Sequence, residues 1–144
     1  MKNNNHINYR IEPKIKPLVK IMNRVPFIKT FSSCEGHFSL EDIIQHKDKA
    51  YVQFILDESK NEKYEKFKEF ILKSIVDYCW DFNVAFYQRT NITPRSRINI
   101  DYSIEIKPFE YMTTRRRVEK EMRKSTNRGI KRVTKAIDDY LSLK

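Results

Sequence analysis

Apolar positions along the chain repeat with two periods, and the switch between them predicts the elements. Ile15, Leu18, Val19 and Met22 share one helical face behind Pro17, so the pattern predicts a short helix over about 16–23. Phe27–Phe31 is a short β-prone run. A polar stretch to Lys49 reads as a loop, with room for one helical turn at 40–45. Ala50–Leu56 is almost wholly apolar, as a central strand is. Tyr64, Phe67, Ile71, Ile75 and Tyr78 then recur every three or four residues, predicting a helix over 60–79 with Ser59 and Glu62 as a capping box. Phe82–Tyr87 reads as a third strand, and 90–95 as a turn. Ile98, Ile100, Tyr102, Ile104 and Ile106 alternate with Asn99, Asp101, Ser103 and Glu105, which predicts a fourth strand with one wet face. The last segment, from 113, returns to helical spacing at Val118, Met122, Val133, Ile137 and Tyr140. Gly129 in its middle predicts a kink, or two helices meeting near 127–129.

The resulting order, α-β-β-α-β-β-α, fits an α+β domain: an antiparallel-rich four-stranded sheet covered by helices. Residues 1–9 read as a flexible polar lead and 10–144 as one domain, the size that 144 residues favour. No run approaches the ~18 apolar residues of a membrane span. The polar start does not resemble a secretory signal, and Cys34 and Cys79 are too few for a disulfide framework. These features predict a cytoplasmic protein with no membrane partner.

Charge adds a direction. The chain carries 29 Lys+Arg against 19 Asp+Glu, net +10. Residues 113–144 alone hold 11 basic and 4 acidic residues, a net of +7. Arg115, Arg116, Arg117, Lys120, Arg123 and Lys124 crowd the start of that helical segment. Such a surface suits a polyanion, and its contacts to phosphates are salt-dependent but sequence-blind. Lys29, Arg89, Arg95 and Arg97 extend it, and Tyr51 and Tyr87 are placed to stack bases on an open sheet face. Tyr102, in phase with Ile100, reads as core, as do Trp80 and the thiol of Cys79.

The densest reactive cluster is Ser32-Ser33-Cys34-Glu35-Gly36-His37. Gly36, one of two glycines, predicts a turn whose amides form an anion-binding nest. Several chemistries fit. Cys34 and His37 suit a thiolate nucleophile with its base. Cys34 and His37 with His46 and Cys79 suit zinc. Ser32, Ser33 and Gly36 with His37 suit a turn that binds RNA or another ligand. A turn that satisfies only itself, with Cys34 as a small buried hydrophobe and His37 merely exposed, is the remaining alternative.

The residues Ser32, Ser33, Cys34 and Gly36, after one strand and before Tyr51-Val52, resemble the Ser-Ser-Cys-x-Gly signature of the wybutosine-synthesis tRNA methyltransferase-like family. His37 stands where that family usually has Arg, and the similarity spans about 30 residues. The resemblance implies tRNA as partner, S-adenosylmethionine as cofactor and a role in tRNA modification. The residues themselves point to an RNA-binding protein whose basic helix holds phosphates and whose 32–37 turn forms the specific pocket. The alternatives are a metal- or thiol-dependent enzyme using Cys34 and His37, and a protein–protein interaction module.

Overall fold

Alternation within the strands leaves one apolar face to cover, and the helices of the chain cover it. A computed structural model describes residues 9–88, 95–103 and 115–143. The elements are α1 (Lys16–Met22), β1 (Ile28–Glu35), α2 (Leu40–Ile44), β2 (Ala50–Leu56), α3 (Asn61–Ile75), β3 (Phe82–Gln88), β4 (Arg95–Tyr102) and α4 (Arg115–Leu141). The four strands form one sheet in the order β1-β2-β4-β3, and each neighbouring pair is antiparallel. β2 and β3 therefore run parallel, joined through α3, with β4 inserted between them. This is a split β-α-β unit extended at one edge by β1, the antiparallel neighbour of β2. The predicted α+β class and four-stranded antiparallel sheet are both present.

Cross-strand register sorts the side chains. Ala50, Val52 and Phe54 of β2 stand beside Ile100, Ile98 and Ser96 of β4, and all are buried toward the helices. Leu18, Val19 and Met22 of α1, Tyr64, Phe67, Ile71 and Ile75 of α3, and Ile130, Val133 and Ile137 of α4 close over them in one core. Phe67 is its aromatic centre, with edge-on contacts to Phe27 (5.9 Å) and Tyr140 (5.0 Å). A second, smaller core of Phe38, Val118 and Met122, with Ile43 and Tyr102 against it, lies under the first half of α4.

Several expectations need correction. α4 is one continuous helix of 27 residues, about 40 Å long at 1.5 Å per residue. Gly129 does not break it. A Cβ there would meet Ile100 Cγ2 at 2.6 Å and the Phe82 ring at 2.9 Å, so the glycine is what lets the helix lie close on the sheet. Ser59 is not the cap of α3. Lys60 occupies that position without a side-chain cap, after a 3₁₀ turn at Glu58–Lys60, while Ser59 donates to Asp57 Oδ1 (2.7 Å). α3 stops at Ile75 and a 3₁₀ turn carries Val76–Tyr78, leaving Tyr78 exposed rather than on the buried stripe. Trp80 is 74% exposed, not core. Of the predicted turn at 90–95, Arg95 instead begins β4, while 90–94, Arg89 and the strand continuation through Ile104 and Ile106 lie outside the described residues.

Candidate functional site

β1 runs four residues further than its apolar pattern predicts, so Ser32, Ser33, Cys34 and Glu35 belong to a strand and not to a loop. A bulge makes the difference. Thr30 pairs with Phe54 but Ser32 pairs with Gln53, leaving Phe31 as the extra residue. One inserted residue flips every later side chain to the other face. Ser33 and Glu35, opposite Val52 and Ala50, therefore face the helices, and Cys34, opposite Tyr51, takes the open side. Gly36 then turns the chain at φ +86°, where a Cβ would also press within 2.9 Å of the Phe38 ring.

The amides of this turn do not form an empty nest, contrary to expectation, because the chain fills them itself. Glu35 N donates to Glu12 Oε1 (2.9 Å), Gly36 N to Cys34 Sγ (3.4 Å) and His37 N to the Lys47 carbonyl (2.9 Å). Glu12 arrives on the N-terminal segment along the free edge of β1. It is held there from both sides, by Tyr9 Oη on Thr30 Oγ1 (3.2 Å) and by Lys14 N on Glu35 Oε1 (2.9 Å). Its second oxygen meets His37 Nε2 at 2.9 Å. Glu12, Cys34 and His37 thus place one donor atom each within 4.8 Å of one another. Of the four residues that the zinc alternative used, Cys34 and His37 come together here with Glu12 beside them, and His46 and Cys79 do not join them. Burial pushes the Cys34 thiol above its ordinary pKa, the Gly36 amide pulls it back in part, and the neighbouring Glu12 and Glu35 carboxylates push it further up. That is the reverse of what a thiolate nucleophile needs at neutral pH.

Arg123 ties α4 to this turn. Its guanidinium donates to the carbonyls of Glu35 (2.8 Å) and Gly36, lies 3.8 Å from Glu35 Oε2 and covers the Phe38 ring at 4.6 Å. It is therefore engaged by the chain itself. Burial lowers its pKa and the Glu35 and Glu12 charges raise it. Arg116 lies one heptad before Arg123, hence on nearly the same side of the helix. Arg116, Arg117, Lys120 and Lys124 are all exposed, and the side chain of Arg115 lies outside the described residues.

The other face of the sheet carries a different set. Tyr51, Gln53, Arg95, Arg97, Asn99 and Tyr87 line it, with Ser32 and Cys34 at its β1 side. Among the described residues no helix covers this face. The Arg97 guanidinium stacks 3.9 Å from the centroid of Tyr51 and is fixed by its Nε donating to Asn99 Oδ1 (2.6 Å). Arg95 lies 5.2 Å over Phe31. Tyr87, the cross-strand neighbour of Arg97, is 53% exposed. A shallow hollow of about 530 Å³ opens between β2, β4 and β3 over Gln53, Tyr87, Arg95, Arg97 and Asn99.

Sequence reasoning missed two further arginine–aromatic stacks. Arg132 lies 3.4 Å over Tyr78, and Arg128 lies 4.8 Å over the exposed Trp80 while pairing with the buried Asp81. The cue was the basic stripe of α4, but the partners sit about 50 residues away in sequence. Glu12 was missed for the same reason, as a lone acid in a Pro-flanked segment. Set against known proteins, the chain matches no family model, no curated protein and no solved structure.

Proposed function

We propose that this is a cytoplasmic RNA-binding protein that receives single-stranded bases on the open face of its sheet. The observation that carries the reading is the Tyr51–Arg97 stack, held by Asn99 in the middle of a sheet face that no described helix covers and bordered by Phe31, Arg95, Tyr87 and Gln53. RNA bases stack on aromatic rings and on guanidinium planes, and each stacked base contributes about 1–3 kcal/mol. Gln53 and Asn99 offer amide groups to base edges beside the stack. Lys29, Arg95 and the exposed Arg116, Arg117, Lys120 and Lys124 of α4 supply contacts to phosphates. The base-reading element in this reading is the sheet face that Ser32 and Cys34 border. The 36–37 turn is filled by Glu12 and Arg123.

The RNA we propose is tRNA, whose loops present unstacked bases, and the activity is a part in tRNA modification. That choice rests on the resemblance of Ser32, Ser33, Cys34 and Gly36 to the methyltransferase-like family, which would also bring S-adenosylmethionine as cofactor. The test is binding of tRNA, an unstructured oligoribonucleotide and an RNA duplex across a salt series. The reading expects the first two to bind better than the duplex, with affinity falling as salt rises. Equal binding of all three, or affinity without a salt slope, contradicts it.

A further inference from the structure

Base stacking leaves the trio beside the β1 turn without a role. Glu12, Cys34 and His37 come from two separate segments of chain and converge with their donor atoms inside 4.8 Å. We propose that these three residues hold a zinc ion, with its fourth position open to water or to a substrate group.

The donor set is the first argument. A thiolate sulfur, an imidazole nitrogen and a carboxylate oxygen are the three ligand types that zinc takes in proteins. At zinc bond lengths of about 2.0–2.3 Å, tetrahedral ligands stand about 3.4–3.6 Å apart. From donor atoms that all lie within 4.8 Å of one another, reaching that spacing needs separations to change by at most about 1.4 Å, with Glu12 Oε2 and His37 Nε2 moving apart from 2.9 Å. Cys34 and His37 supply two ligands from one tight turn, and Glu12 closes the site from the neighbouring segment.

The surroundings are the second argument, because the groups behind metal ligands orient them. The Gly36 N–H already points at Cys34 Sγ (3.4 Å), where it would steady a thiolate. The Glu35 N–H holds Glu12 Oε1 (2.9 Å), which leaves Oε2 as the metal-facing oxygen. Charge also balances. With zinc bound, the Cys34 thiolate, Glu12 and Glu35 offset the two charges of the ion and that of Arg123, the neighbouring cation. A nucleophile–base pair is the competing use of Cys34 and His37. That use requires His37 to face the thiol, whereas its Nε2 faces Glu12. Three protein ligands with one open position is the arrangement of zinc sites that act on a ligand, whereas purely structural sites are closed by four.

The test uses the full chain, stripped of metal and titrated with Zn²⁺ and with Co²⁺ as its spectroscopic substitute. One equivalent should bind, with a thiolate-to-cobalt charge-transfer band and the visible bands of tetrahedral cobalt. Cys34→Ser should abolish the charge-transfer band. His37→Ala and Glu12→Gln should each weaken binding by ~100-fold or more, at least the loss that outer-shell changes cause. His46→Ala and Cys79→Ser should change nothing. A second measurement on the unaltered chain removes dependence on the variants folding: one equivalent of zinc should protect Cys34, and not Cys79, from alkylation as read by mass spectrometry. Absence of the band in the unaltered protein, its persistence in Cys34→Ser, or equal alkylation of Cys34 with and without zinc overturns the site. None of these readouts involves RNA, so the zinc site and the RNA-binding reading fail separately.

Discussion

The two faces of the sheet are built from the same four strands, and their residues do opposite things. The covered face is mainly aliphatic and aromatic, closed by α1, α3 and α4, and the side chains of its core are almost wholly inaccessible. The open face carries arginines stacked on rings, amides and an exposed tyrosine. Strand alternation makes the division, since neighbours in sequence point to opposite sides, with the bulge at Phe31 resetting the parity of β1. Burial on the covered side supplies the stability, so residues on the open side are released from packing. A sheet that needed both faces for its core could not hold Arg95, Arg97, Gln53 and Asn99 on the second one.

This division makes its strongest prediction on the covered side. Phe67→Ala removes the ring at the centre of the core and should cost about 3–5 kcal/mol, read as a lower urea midpoint. A cost below about 1 kcal/mol would mean that the core is not where stability resides. The junction between the helical layer and the β1 turn comes next. Arg123→Met keeps the apolar stem over Phe38 but loses charged donors to two carbonyls, for an expected loss of about 2 kcal/mol. Amide exchange should then quicken around 35–37, and unchanged exchange there would show that α4 does not hold the turn.

The smallest effect belongs to Asp101, on the open face beside Lys49 (3.9 Å). Burial raises its pKa, Lys49 lowers it in part, and Asp48 raises it again. A carboxyl whose pKa is raised in the fold imposes no penalty in acid, where it is protonated folded or unfolded. The penalty grows as pH rises through the carboxylate range. Asp101→Asn should therefore be neutral near pH 3 and stabilising by under about 1 kcal/mol at pH 7. The opposite pH trend in thermal melts would refute that sign.

The two faces were unequally legible in the sequence. Period 2 at 98–102 assigned both sides of β4 correctly, and the stripe Tyr64, Phe67, Ile71, Ile75 placed α3, because each pattern is local. β1 was misread where a bulge at Phe31 reverses parity, an event that depends on pairing with β2 and leaves no mark in the chain's own periodicity. Trp80 looked like core among Tyr78, Cys79 and Phe82. It is exposed because the 3₁₀ turn ending α3 places it outside the sheet against Arg128, 48 positions on. At the candidate site, Cys34, His37, Arg95 and Arg97 stood out by residue type. Glu12 and the inward role of Arg123 did not, since only tertiary structure brings them to the turn.

The claim that recognition lives on the open face is tested most directly by one comparison. Fluorescence anisotropy of a labelled single-stranded oligoribonucleotide should be measured with the unaltered chain and with the double variant Tyr51→Ala/Arg97→Ala, alongside urea midpoints for both. The account predicts at least about a fivefold loss of affinity, from one base stack of about 1–3 kcal/mol, with stability changed by less than about 1 kcal/mol. Unchanged affinity in a folded double variant would contradict it and move the RNA contact to the helical side of the molecule.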